Sequence, residues 1–127
     1  MVNHELLFGS LGYDVQKLPY YRNGAFDFES YMTILRTASP GSVIVLHSCA
    51  HNPTGCDPSK EEWKGIASVI QERHLFAVFD SAYLGFNSGS VAEDAWVIRY
   101  FVDTLGLEAS ICLSFAKSMG LYGMSLI

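Results

Sequence analysis

The sequence predicts a doubly wound α/β fold built on a mainly parallel sheet. Three observations carry that reading. The runs Ser42–His47, Leu75–Asp80 and Ala109–Phe115 are near-continuously apolar rather than alternating, which is the pattern of parallel strands covered on both faces. The segments between them carry apolar residues at helical spacing. Strand, helix, strand, helix, strand is the order of an open sheet with helices packed on it.

Each element has a local reason. A first helix is expected from about Phe28 to Thr37, stopped before Pro40-Gly41. The strand from Ser42 follows. Ser59-Lys-Glu-Glu62 fits a capping box, with Trp63, Ile66, Ala67 and Ile70 on one helical face behind it. After the strand from Leu75, Ser90-Val-Ala-Glu93 is a second capping box, leading into Trp96, Val97, Tyr100 and Phe101, with Gly106 as the stop. The strand from Ala109 closes the series.

Bulk properties narrow the partners. At 127 residues the chain is one domain or part of one, and with 50% hydrophobic and 17% charged residues it is globular. A net charge of −5 argues against nucleic acid or an anionic membrane surface as partner. No apolar run approaches the roughly 18–20 residues that span a bilayer. Met1-Val-Asn-His-Glu5 has neither a basic flank nor an apolar core, so secretion is not expected. The odd cysteine count (Cys49, Cys56, Cys112) suggests free thiols in a reducing compartment.

Candidate chemistry collects where the strands end, since ligands of open parallel sheets bind beyond the carboxyl ends of the strands. The first strand runs into His47-Ser-Cys-Ala-His-Asn-Pro-Thr-Gly55. The second ends in Asp80, with Tyr83 just after it. The third ends near Ser114 and Lys117. An amine such as that of Lys117 can form a Schiff base with an aldehyde cofactor and later shuttle a proton. Asp80 would keep the pyridine nitrogen of pyridoxal 5'-phosphate protonated, Asn52 and Tyr83 could bond the phenolic oxygen, and Ser114 could bind the phosphate.

Each residue also has a plainer fate. Taken alone, Lys117 reads first as a solvated surface lysine, Asp80 as a turn cap, Asn52-Pro53-Thr54-Gly55 as an ordinary turn, and Tyr83 as a half-buried core aromatic. His47, Cys49, His51 and Cys56 are too crowded for a standard zinc site, and no metal is expected.

Five blocks in order decide between these readings: Leu46–Gly55, Glu62-Trp63, Phe79–Phe86, Asp94–Tyr100 and Ser114–Tyr122. On them the chain resembles the class I aspartate aminotransferases, pyridoxal-phosphate enzymes of fold type I. The resemblance runs from Asn3-His4 to Gly123. It implies a three-layer αβα architecture and reversible amino transfer between L-aspartate and 2-oxoglutarate. It implies Lys117 as the Schiff-base lysine, Asp80 as partner of the pyridinium, Asn52 and Tyr83 at the phenolic oxygen and Ser114 at the phosphate. His4 and His47 look like the histidines that orient the aspartate. The parent family is homodimeric, with cytoplasmic and mitochondrial members.

The departures from the family pattern shape a further expectation. Residues 1–123 correspond to part of the large, cofactor-binding domain, and 124–127 form a divergent tail. Met1 stands where the family has a tryptophan that stacks on the cofactor ring. Met124-Ser125 stand where it has Glu-Arg, so the phosphate-binding arginine is absent, as are the small domain and its carboxylate-binding arginine. The expectation is a truncated chain, inactive alone, that binds cofactor weakly or associates with a full-length homologue. An aromatic amino acid preference stays open.

Overall fold

The computed structural model describes residues 2–123. The expectations for Met1 and for the 124–127 tail lie outside the described residues.

Two features precede Phe28 that apolar periodicity does not reveal. Helix α1 spans Val2–Ser10, and strands β1 (Tyr21–Arg22) and β2 (Ala25–Phe26) form an antiparallel hairpin. The hairpin turns on Asn23-Gly24, both at positive φ (52° and 89°). That is the pair a tight two-residue hairpin turn calls for, because asparagine tolerates the left-handed region and glycine meets no steric cost there. Helix α2 (Phe28–Leu35) starts on Asp27, whose carboxylate accepts from the Ser30 N–H. It ends two residues before the expected Thr37, whose own N–H bonds back to the Ile34 carbonyl, three residues earlier.

Strands β3 (Val43–His47), β4 (Phe76–Ser81) and β5 (Ala109–Leu113) form one parallel sheet in the order β3-β4-β5. Helix α3 (Lys60–Glu72) crosses from β3 to β4. Its capping box is complete: the Glu62 N–H donates to Ser59 Oγ at 3.2 Å, and the Ser59 N–H donates to the Glu62 carboxylate at 2.7 Å.

The second crossover departs from the single expected helix. It divides into α4 (Val91–Asp94), α5 (Trp96–Arg99) and a π-helical turn (Tyr100–Thr104). Only half of its capping box forms. Ser90 Oγ accepts from the Glu93 N–H, but the Ser90 N–H is taken by Ser88 Oγ. The wide turn fits two aromatic demands at once: Phe101 is fully buried, and Trp96 and Tyr100 stack four residues apart at 5.2 Å. A short helix α6 (Phe115–Ser118) follows β5.

The core explains the layering. On one sheet face Ile44, Leu46, Ala77 and Phe79 pack against Tyr31, Met32 and Leu35 of α2, Trp63, Ile66 and Ile70 of α3, and Val97, Ile98 and Phe101. Phe79 meets Phe101 edge to face at 5.1 Å. The other face carries Val45, Val78 and Asp80, and α1 reaches its carboxyl end through His4. Helices, sheet and α1 thus give the expected αβα order. Ile111 and Leu113 on β5 remain about half exposed, at 44% and 55%. Among the described residues the outer edge of β5 has no partner strand, the kind of edge that invites further pairing.

Candidate active site

The parallel register sets the site. His47, Asp80 and Cys112 lie level across the three strands, so the loops after β3, β4 and β5 all leave from one end of the sheet. Asn52 is on the first loop, Tyr83 on the second, and Ser114 and Lys117 on the third. The strand-end residues picked out in the sequence therefore share one end of the fold.

Two contacts bind subsets of them together. His4 Nε2 lies 3.0 Å from Asp80 Oδ2. An ionised carboxylate can only accept, so the ring nitrogen facing it carries the hydrogen. The His4 ring stands edge-on to His47, with centroids 5.8 Å apart. Asp80 is thus held by a residue 76 positions away rather than spent as the cap of its own turn. On the other loops, Lys117 Nζ lies 4.7 Å from the centre of the Tyr83 ring, within cation–π range. Both residues are half-buried, which fits the plain reading of Tyr83 as a half-buried aromatic but not that of Lys117 as a fully solvated lysine. Ser114 is the N-cap residue of α6, yet its side chain makes no capping bond. Asn52 is exposed on its loop and precedes Pro53 through a cis peptide.

Burial sets the charge states behind the site. His47 is buried, and desolvation lowers its pKa; the neighbouring Asp80 carboxylate pulls the other way but is outweighed. His51 is also buried, and desolvation together with the His47 ring takes its pKa down to about 4. Both imidazoles are therefore neutral near pH 7. Burial pushes the Cys49 thiol up to about 11. Cys49, Cys56 and Cys112 are all free, as their count suggests.

Several supporting residues carry no local signal in the sequence. Asp57 accepts from the N–H groups of Ala50 (2.7 Å) and His51 (3.0 Å), bracing the loop that presents Asn52. Tyr20 stacks on the His51 ring at 3.6 Å, and its hydroxyl donates to the Cys56 carbonyl. Asp94 accepts from the N–H groups of Gly85, Asn87 and Ser88 and so fixes the loop after Tyr83. Only the folded chain shows what Asp57 and Asp94 brace.

Among the described residues no helix is long and apolar enough to cross a membrane. Two open depressions lie apart from the cluster. One borders Ser48, Asp57, Trp63 and Trp96, and the other borders Phe76, Val102, Leu107 and Ile111. Neither is lined by Asp80, Tyr83 or Lys117.

Comparison with known proteins agrees with this geometry. Residues 2–126 match the family described as aminotransferase class I and II. The chain is 49% identical over 123 residues to a cytoplasmic aspartate aminotransferase of Caenorhabditis elegans, covering 94% of this chain and 30% of that protein. It is 44% identical over 123 residues to a mitochondrial aspartate aminotransferase of Gallus gallus, covering 95% of this chain and 29% of that protein. Among solved structures, an aromatic-amino-acid aminotransferase of Burkholderia pseudomallei covalently bound to pyridoxal phosphate superposes with a TM-score of 0.92 at 36% identity, covering 97% of this chain and 31% of the other. The chain spans less than a third of the length of these relatives. With the family match over residues 2–126 and relatives 44–49% identical over nearly all of its residues, the chain belongs to the class I and II aminotransferase family.

Proposed function

We propose that this chain is the cofactor-holding part of a pyridoxal 5'-phosphate-dependent transaminase of the aspartate aminotransferase type, and that its 127 residues do not sustain turnover by themselves. The observation that carries the reading is that Asp80, held by His4, and the Lys117–Tyr83 pair follow the carboxyl ends of adjacent parallel strands.

The residues suit the cofactor by their chemistry. Asp80 offers a carboxylate for a ring N–H, Tyr83 a phenol and Asn52 an amide for a phenolic oxygen, and Lys117 an amine. Ser114 keeps a hydroxyl unused in capping for a phosphate. When bound, the cofactor supplies an aldehyde that condenses with amines and a ring that accepts the electron pair left when a substrate carbon loses its proton. The rest falls to the chain. Lys117 Nζ takes and returns that proton. The Tyr83 ring face lies against Lys117 Nζ and holds it in place, a contact worth about 0.5–1 kcal/mol when partly exposed. His4, with neutral His47 behind it, fixes the orientation of the Asp80 carboxylate.

The relatives support an amino acid and a 2-oxo acid as substrates. Two named for aspartate favour L-aspartate and 2-oxoglutarate, while the Burkholderia neighbour keeps an aromatic amino acid as the second reading. Their names also support a cytoplasmic or mitochondrial setting. A homodimer, as the resemblance implies, is the assembly in which such a site would work.

Inactivity of the isolated 127 residues rests on the arginines. Of the four in the chain, Arg73 donates to the Ala38 carbonyl and Arg99 to the Ala92 carbonyl. Arginines so engaged do not offer the substrate carboxylates the preorganised charge that favours the transition state. The alternative is a chain with no catalytic role that associates with a full-length homologue.

The test is an absorbance titration of the purified chain with pyridoxal phosphate beside Lys117→Ala. The expected result is a lysine-dependent band, shifted by aspartate, with negligible aspartate-dependent turnover. Identical spectra for the two proteins would overturn the cofactor reading, and robust turnover would overturn the inactivity.

A further inference from the structure

His4, His47 and Asp80 each offer one ligand atom, and these atoms all lie within 4.8 Å of one another. From this arrangement we propose that the cluster is a zinc site, occupied when the cofactor ring is absent, which competes with that ring for Asp80.

The geometry suits a tetrahedral ion. Zinc binds imidazole nitrogen and carboxylate oxygen at about 2.0–2.2 Å, so ligand atoms around it sit about 3.3 Å apart. His4 Nε2 and Asp80 Oδ2 are already 3.0 Å apart; zinc takes the place of the hydrogen between them, and the ring carries that hydrogen on Nδ1 instead. Closing the widest separation takes a shift of about 1.5 Å, within reach of a side-chain adjustment. Two imidazoles and a carboxylate leave a fourth position for water, the open arrangement of a three-ligand zinc site.

A second, independent observation is the state of the rings. His47 is 7% exposed, and its Nε2 is buried with no hydrogen-bond partner. A buried imidazole nitrogen with no partner costs free energy, and coordination is one way to satisfy it. Burial keeps His47 neutral, the form that ligates metal. The donor set favours a borderline ion over calcium or magnesium, which take oxygen ligands. This group differs from the crowded His47, Cys49, His51, Cys56 segment. There His51 Nδ1 is paired with Thr54, and Cys56 Sγ turns to the Gly24 carbonyl.

Competition follows from charge. A divalent ion and a protonated pyridine ring both draw on the single negative charge of Asp80, and they repel each other. The competition rests on the cofactor reading above; the zinc site does not.

The test titrates zinc into the metal-free 127-residue chain without cofactor and measures stoichiometry and affinity. One zinc per chain is expected. His4→Ala and His47→Gln should each weaken binding about ten-fold or more. His74→Asn, at an exposed histidine already at positive φ (52°), and Lys117→Ala should stay within about two-fold. No binding, or unchanged binding in both His4→Ala and His47→Gln, overturns the site. Zinc lost in those variants but kept in Lys117→Ala supports it whether or not a lysine-dependent cofactor band exists. If the band exists, saturating zinc should weaken cofactor binding several-fold, and an unchanged cofactor affinity overturns the competition alone.

Discussion

Replacing Asp94 by asparagine should destabilise the chain by about 2 kcal/mol at pH 7, and the three backbone bonds to its carboxylate explain why. Oδ2 accepts from Gly85 (2.8 Å) and Asn87 (3.2 Å), and Oδ1 from Ser88 (3.1 Å). Buried bonds to a charged group are worth about 1.5–3 kcal/mol each. Asn87 and Ser88 are exposed, however, so water can satisfy their N–H groups once the carboxylate is gone. The asparagine oxygen can keep the Gly85 and Asn87 bonds at neutral strength, while its NH₂ group faces the Ser88 N–H as donor against donor. Losing one bond and weakening two gives about 2 kcal/mol, against about 3 for Asp94→Ala.

The pH dependence gives the sharper check. Burial of Asp94 raises its pKa, but the hydrogen bonds from Ser88, Gly85 and Asn87 outweigh this and hold it below the usual carboxylate value. A carboxyl with a depressed folded pKa contributes stability that is fully present above the unfolded value of about 3.9 and is lost as pH falls through the folded one. The assay is urea unfolding of the native chain and Asp94→Asn, where 2 kcal/mol corresponds to a midpoint shift of about 1 M. The gap should be constant from pH 7 to 5 and close only below about pH 4. A gap under about 0.5 kcal/mol at pH 7, or one already shrinking between pH 7 and 5, would refute the reasoning.

Two further outcomes are expected. Ser59→Ala removes half of the capping box of α3 and should cost about 1 kcal/mol in the same assay; no change would mean that the helix start is held by other contacts. His51, with its folded pKa near 4 against about 6.5 unfolded, should make stability fall as pH drops through that window, because the unfolded chain takes up the proton first. The loss approaches about 2–3 kcal/mol by pH 4.5 at 1.36 kcal/mol per pH unit. His51→Gln should flatten that slope, and an imidazole NMR titration with a midpoint above 6 would contradict the burial argument.

The sequence by itself determined the α/β class, the three sheet strands, the α3 capping box and the lysine, aspartate, tyrosine and serine at the strand ends. These signals are local: apolar runs, helical spacing and caps depend on residues a few positions apart. Resemblance added the family. Three features were not legible. Helix α1 has little sided pattern, the hairpin strands are two residues each, and the break at Ala95 into α5 and a π turn answers to Phe101, Trp96 and Tyr100 finding their partners.

The site divides the same way. Which polar residues stand at the strand ends could be read from the chain. The tertiary structure decided that Asp80 answers to His4, that Lys117 lies over Tyr83, and that Tyr20 covers His51. Those contacts join positions 76, 34 and 31 apart, and such pairings exist only once parallel strands have set a common register.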